Sequence, residues 1–314
     1  METLLMLPYN KEDLDSISDL VSQNESFVAL VEGDLYAIDQ YHLPSVLSNF
    51  TAILDRNIYT RILAVFRGQE IGIHAINDHR WAAAVMAFCQ IADITFQYAS
   101  SLQEYASIKG GEAAVADLRS FHKADNCDPS AWLDFAVGRT STLDVSSVQD
   151  LEEPENIPSP ADFERPIYEF RVNYIFALKI VTLSFQNAAP ERLMVNFLDW
   201  MEDEFVMGAG ATHFANLLFS PARMKGMLKK RSLRDVQNIA WDFATLQNWR
   251  RCALAGAEKS EPVILITRDK VLKYMTQRLV ASDFDEFKAL LTAPWQSVPT
   301  KGEQVFRRSR STKR

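Results

Sequence analysis

Cysteine is scarce. The three in 314 residues, Cys89, Cys127 and Cys252, are far apart and odd in number. No disulfide framework follows from them, none has metal-ligand spacing, and their scarcity fits a reducing compartment. Histidine is scarce as well. The five, His42, His74, His79, His122 and His213, show no pairing that suggests a transition-metal site. No apolar run is long enough for a bilayer: the most apolar stretch, Tyr174 to Phe185, is short and carries Lys179. The N-terminal Met1-Glu2-Thr3-Leu4-Leu5-Met6-Leu7-Pro8 lacks the basic flank and long apolar core of a signal peptide. Solenoid-type repeats and a hydrolase nucleophile motif are both missing. These absences predict a cytoplasmic protein with no membrane association.

Net positive charge is also lacking. The formal charge is −8, so the chain as a whole is not an obvious nucleic-acid binder. Its basic residues are clustered nevertheless, in Lys229-Lys230-Arg231 with Arg234, in Arg250-Arg251, and in the tail from Arg307 to Arg314. A solvated or disordered segment is the expectation for the tail. An apolar fraction of 47% suffices for a proper core, in one large domain or two modest ones.

Two short apolar runs end in an acid. Pro262-Val263-Ile264-Leu265-Ile266-Thr267-Arg268-Asp269 reads as a strand buried on both faces, with a helix from Lys270. Thr51-Ala52-Ile53-Leu54-Asp55-Arg56-Asn57 repeats the pattern, with a helix to about Phe66. In a parallel α/β sheet the carboxyl edge is where ligands bind. Converging carboxylates repel, and a site of that kind holds a cation or a proton.

The remaining pattern is mainly helical. A short helix is expected through Val21, and a hairpin from Phe27 to Ile38 around Glu32-Gly33-Asp34. Helices follow at about Arg80 to Ile91, capped by Asn77 or Asp78, and over residues 112–124. Asp93 to Tyr98 reads as a short strand or an extended connection. Residues 141–162, acidic and punctuated by Pro154, Pro158 and Pro160, read as a flexible loop. Long helices resume from Phe163 to Phe185 and Glu191 to Val206, and again from Leu233 to Arg251. Ala255 to Ser260 reads as a loop.

At these places the chain resembles the PIN-domain family of metal-dependent ribonucleases. Ile53-Leu54-Asp55-Arg56-Asn57 looks like the family's opening strand with its D-x-N tip. Glu104, in Leu102-Gln103-Glu104-Tyr105, looks like its early-helix acid. Asp242, in Asn238-Ile239-Ala240-Trp241-Asp242, looks like its third acid. Leu265-Ile266-Thr267-Arg268-Asp269-Lys270 looks like its closing strand and T-x-D tip.

The resemblance implies a three-layer α/β core with a mostly parallel sheet over 51–108 and 231–292. Residues 1–50 are then an N-terminal extension, 109–230 a mainly helical insertion, and 293–314 a basic tail. It also implies that Asp55, Glu104, Asp242 and Asp269 are catalytic carboxylates holding Mg²⁺ or Mn²⁺, since hard cations prefer carboxylate oxygens and water. Asn57 and Thr267 would orient water or a phosphate oxygen. Lys229, Lys230, Arg231, Arg234, Arg250 and Arg251 would bind nucleic acid, RNA in preference to DNA. A regulatory protein partner is compatible with the insertion.

Each acid has an ordinary alternative. Ser101 and Glu104 fit a capping box. Asp55 and Asp269 fit plain helix N-caps. Asp242 fits an ion pair, with Arg250 or Arg61. A catalytically inactive scaffold working through its helical insertion is the rival class.

Overall fold

Five short strands make one sheet, in the order β2-β1-β5-β3-β4. β1 (Phe27–Val31) and β2 (Asp34–Ala37) form the expected hairpin, with Val31 opposite Asp34. β3 (Thr51–Leu54) lies between β4 (Thr95–Gln97) and β5 (Val263–Ile266) and runs parallel to both. β1 is antiparallel to β5, so only β1 runs against the others. The protein is therefore mixed α/β, mainly helical, with a small and mostly parallel sheet. Ala52, Ile53 and Leu54 of β3 and Ile264, Leu265 and Ile266 of β5 are fully buried. That burial on both faces is why these strands read as unbroken apolar runs.

The computed structural model describes residues 11–22, 27–31, 34–37, 50–148, 151–152, 156–164, 168–259, 261–279 and 284–311. Two units divide the chain. The first takes Met1–Arg165 and Cys252–Arg268, the second Pro166–Arg251 and Asp269–Arg314.

The first unit surrounds the sheet with α1 (Lys11–Ser22), α2 (Arg56–Phe66), α3 (Ile76–Ile91), α4 (Ala99–Lys109), α5 (Gly111–Asp125), α6 (Pro129–Ala136) and α7 (Pro160–Glu164). α3 starts earlier than expected. Ala75 stands at its N-cap without a side-chain bond, and Asn77 and Asp78 lie inside the first turn. The sequence boundary at 109 is corrected here, because α5 belongs to this core. Phe121 is fully buried and stacks on Tyr59 with ring centroids 4.7 Å apart, and the Tyr59 hydroxyl donates to the Asp117 carbonyl at 3.1 Å. The extension of residues 1–50 is corrected as well: β1 hydrogen-bonds with β5, and Phe27 packs edge-on against Phe88 at 5.4 Å.

In the loop of 141–162, Leu143 and Val148 are buried in the same core, and Ser146–Val148 makes a 3₁₀ turn. Its Asp150, Glu153, Pro154 and Glu155 lie outside the described residues.

The described part of the second unit is helical. It holds α8 (Tyr168–Leu183), α9 (Pro190–Asp203), α10 (Ala209–Leu218), most of α11 (Leu233–Lys259), α12 (Lys270–Leu279), α13 (Phe284–Thr292) and α14 (Pro299–Ser311). Phe197, Trp249 and Trp295 are the largest fully buried side chains among its described residues. Trp295 Nε1 donates to Asn216 Oδ1 at 2.7 Å, and Asn216 Nδ2 donates to the Leu291 carbonyl at 2.8 Å, so the polar atoms of these two side chains are paired.

The expected basic tail is instead the helix α14. Val305 and Phe306 are buried. Arg308 pairs with Asp199 and with Glu202, the latter at 2.5 Å, and Lys301 pairs with Glu191 at 3.0 Å. Two apolar side chains on one face and cations matched to the acids of α9 turn a charge run into a packed helix. Its last residues, 312–314, lie outside the described ones.

The loop expected at Ala255 to Ser260 is helical through Lys259. Gly256 makes this possible. The Glu261 backbone N–H donates to the Gly256 carbonyl at 2.9 Å as the chain turns back into β5. A Cβ on Gly256 would sit 2.2 Å from the Glu261 carbonyl oxygen. Alanine ordinarily stabilises a helix interior relative to glycine. Here the sign reverses, because the obstructing atom is backbone. Gly256→Ala is expected to lose about 1–3 kcal/mol in urea unfolding, the usual cost of overpacking. An unchanged or raised midpoint would contradict this close return.

Candidate functional site

In the first unit, three parallel strands end at one edge, and β3 stands in the middle. Asp55 follows β3 directly. Its backbone N–H donates to the Ile266 carbonyl at 3.0 Å, which continues the ladder with β5 by one bond. Thr267, the next residue after β5, is fully buried and donates its hydroxyl to Asp55 Oδ2 at 2.8 Å. The Asn57 backbone N–H donates to Asp55 Oδ1 at 3.2 Å, making Asp55 the N-cap of α2. The Asp55 carboxylate is thus gripped on both oxygens and is 8% exposed. Asp55 is a cap and a strand-tip acid at once. Thr267 holds Asp55, and Asn57 acts through its backbone while its side chain is exposed.

Glu104 comes to the same edge by a route the sequence did not show. α4 begins at Ala99, and Tyr98 stands at its N-cap without a side-chain bond, so Ser101 and Glu104 form no capping box. The buried Ser101 hydroxyl donates instead to the Leu54 carbonyl at 2.6 Å, one residue before Asp55. Ser101 and Glu104 are three apart on a helix and share a face. The bond at Ser101 therefore carries Glu104 towards Asp55. Burial pushes the Glu104 carboxyl up to about 7. The Arg56 guanidinium opposes that rise, and the Asp55 charge adds to it.

Arg56, the middle residue of the D-x-N tip, is the functional neighbour that sequence reading passed over. Its Nε lies 3.9 Å from Glu104 Oε1, an ion pair without a hydrogen bond. Its guanidinium lies 4.8 Å from the Tyr105 ring centroid, and its buried Nη1 has no hydrogen-bond partner. The only sequence signal for it was its position beside Asp55.

Asp242 and Asp269 belong to the second unit. There they line a small cleft of about 100 Å³ together with Asp235, Lys229 and Asn238. Asp235 is spent on structure: its Oδ2 accepts the backbone N–H groups of Lys230 at 2.9 Å and Ser232 at 3.2 Å. Asp269 is exposed and caps α12, with Oδ1 accepting from Val271 N at 2.6 Å and Leu272 N at 3.2 Å. The arginines considered for Asp242 have other bonds: Arg61 pairs with Asp78 at 3.1 Å, and Arg250 Nε donates to the Leu279 carbonyl at 2.7 Å.

The four sequence-predicted acids are thus divided two and two between the units. Among the described residues, no group of three or more His, Cys, Asp or Glu side chains stands ready to hold a metal ion. A test of the capping role follows. Asp269→Ala is expected to cost about 1 kcal/mol in a thermal melt of the metal-free protein, whereas Asp269→Asn, which keeps an acceptor oxygen, is expected to stay near the parent. Equal melts for both variants would deny Asp269 this role.

Of the basic residues singled out, Lys229, Lys230, Arg231, Arg234, Arg250 and Arg251 are all exposed. Arg231 lies over the exposed Phe185 ring at 5.8 Å, and Arg251 pairs with Glu169 at 3.3 Å. No helix among the described residues is long and apolar enough to cross a membrane. No protein-family model, curated protein or solved structure matches the chain.

Proposed function

We propose that this protein is a PIN-like, divalent-metal-dependent endonuclease acting on RNA, with Asp55 and Glu104 as the carboxylates of its first unit. The observation that supports this best is the placing of Asp55. It ends the central parallel strand, its carboxylate is fixed by the hydroxyl of the neighbouring strand tip, and its charge reaches Glu104.

The residues at this edge fit a hard cation. Mg²⁺ keeps several waters and takes one or two carboxylates together with substrate phosphate. Glu104, whose carboxyl is pushed up to about 7 chiefly by burial and further by Asp55, is a ligand that a cation would ionise. When bound, the metal supplies an activated water and stabilisation of the leaving oxygen. The protein's own groups do the rest. Thr267 and the Asn57 N–H hold Asp55 in one orientation, so no reorganisation is needed. Arg56 keeps positive charge beside Glu104. The chain carries a net charge of −8, and a polyanionic substrate requires local positive charge, which the exposed cations of 229–234 and 250–251 offer within the second unit.

A scaffold that binds a protein partner is the second reading. It is favoured by the spending of Asp269 on a cap.

Cleavage of mixed labelled RNA and DNA by the purified chain decides between them. RNA cutting is expected with Mn²⁺ or Mg²⁺ and none in EDTA. Intact RNA under every condition would leave the scaffold reading standing.

A further inference from the structure

The second unit has a cleft of about 300 Å³ apart from the one that holds Asp242 and Asp269. The end of α8, the start of α9 and the end of α10 wall it, and Arg223 and Arg231 line it. Among the described residues that line it, none is a carboxylate. Both arginines are exposed, and among the described residues neither guanidinium has a carboxylate partner or a hydrogen bond. The nearby acids are spent elsewhere. Glu191, in the first turn of α9, pairs with Lys301 at 3.0 Å. Asp235 accepts the backbone N–H groups of Lys230 and Ser232. Lys229, Lys230 and Arg234 are exposed in the same segment and also make no ion pair among the described residues. In a chain of net charge −8, these uncompensated cations are a local field for an anion from outside.

An aromatic ring at the same place says which anion. Phe185 stands in sequence between the lining residues Ser184 and Gln186, and its ring is 62% exposed. The Arg231 guanidinium lies 5.8 Å from the centroid of that ring. Arg231 does so from a backbone with φ +51°, a left-handed conformation that non-glycine residues seldom adopt. Guanidinium groups are donors only and match phosphate oxygens, while an exposed ring offers a flat face to a nucleobase. An acidic peptide would use the cations and leave the ring without a flat partner. The Ser184 and Ser220 hydroxyls already donate to the Val181 and Leu217 carbonyls, at 2.6 and 2.9 Å, so the charged donors of the cleft are its two arginines. Gln186 adds an exposed amide for the edge of a base. Bases in a duplex are stacked on both faces, and only an unpaired one can lie on a protein ring.

We propose that this surface of the second unit binds a single nucleic-acid strand, with a base stacked on Phe185 and the adjoining phosphates on Arg223 and Arg231. The inference rests on the nuclease reading only for the choice of RNA as that strand.

Fluorescence anisotropy of the full chain in EDTA tests it, so that cleavage plays no part. The probes are a labelled uridine dodecanucleotide and an RNA duplex of the same length, with poly-glutamate as competitor. The single strand is expected to bind at least about fivefold more tightly than the duplex, and poly-glutamate of equal charge to leave it bound. Phe185→Ala is expected to weaken the single strand at least about fivefold, as for the loss of one stacked base, and to leave the duplex unchanged. Arg223→Gln and Arg231→Gln are each expected to weaken binding and to flatten the slope of log K against log salt by about 0.7. All three positions are exposed, so the variants keep the fold. No binding by the parent, equal binding of the duplex, or parent-like binding by Phe185→Ala overturns the proposal. Displacement by poly-glutamate also overturns it, and assigns the surface to an acidic protein partner. RNA cleavage with metal alongside parent-like binding by Phe185→Ala would sink this inference and spare the nuclease reading. Phe185-dependent binding without cleavage would do the reverse.

Discussion

Asp55→Asn is expected to abolish metal-dependent RNA cleavage, by at least about a hundredfold, while the protein keeps its fold. The substitution deletes one negative charge and little else. An amide oxygen can still accept the Asn57 N–H, so the cap on α2 survives. The amide nitrogen takes the place of the oxygen facing Thr267, and a hydroxyl can accept as well as donate, so that bond is re-formed in reverse. Loss of the carboxylate also relieves Glu104 of a repelling neighbour. The metal-free melting temperature should therefore change little. Mn²⁺ should stabilise the parent, by about 2.7 kcal/mol at a hundredfold excess over its dissociation constant, and stabilise Asp55→Asn much less.

Asp55→Ala is the contrasting variant. It removes the cap and the carboxylate oxygen to which the buried Thr267 hydroxyl donates, for a loss of about 1–3 kcal/mol. If Asp55 is structural only, Mn²⁺ should shift no melt and the Asn variant should differ from the parent in nothing but a small loss of stability. Asp242→Asn and Asp269→Asn in the same series measure whether the acids of the second unit affect cleavage at all.

The second large effect is on pH dependence. Glu104 has its folded pKa raised from 4.5 to about 7, chiefly by burial. A raised carboxyl pKa means that the folded chain keeps a proton which the unfolded chain has already released. Below about pH 4.5 both states hold the proton and no penalty exists. Between about 4.5 and 7 the unfolded state is favoured increasingly, and above 7 the penalty is complete. The shift corresponds to at most about 3 kcal/mol, the Arg56 ion pair having already been counted against it.

Urea unfolding at pH 5 and at pH 8 should therefore show the parent losing stability with rising pH. Glu104→Gln should lose less, and should exceed the parent at pH 8. Mn²⁺ at pH 8 should restore part of the parent's loss, because a cation favours the ionised carboxylate. Parallel pH profiles for parent and variant would show that Glu104 is not held in this state.

Local pattern was enough for the strand tips. Asp55 and Thr267 follow the apolar runs Ala52–Leu54 and Val263–Ile266, whose residues are all buried, and unbroken apolar composition is a direct record of burial on both faces. Most helices were legible for the same reason, since helical period and capping are local properties. The cap roles of Asp55 and Asp269 could be read too, because the bonded N–H groups lie two or three residues away.

Tertiary structure alone decided the rest. Phe27 pairs with Ile266 in the sheet, and nothing in either segment names the other. Glu104 reaches the edge through Ser101 and the Leu54 carbonyl, a bond between residues 47 apart that replaced a plausible local cap. The tail is a packed helix because the acids of α9 and a core are available to it, whereas its own sequence shows only charge. Asp242 and Asp269 fall in the second unit, which spacing along the chain does not show. Periodicity tells which face of an element is buried; which partner buries it is settled only when the whole chain competes for the same apolar surface and the same unpaired polar groups.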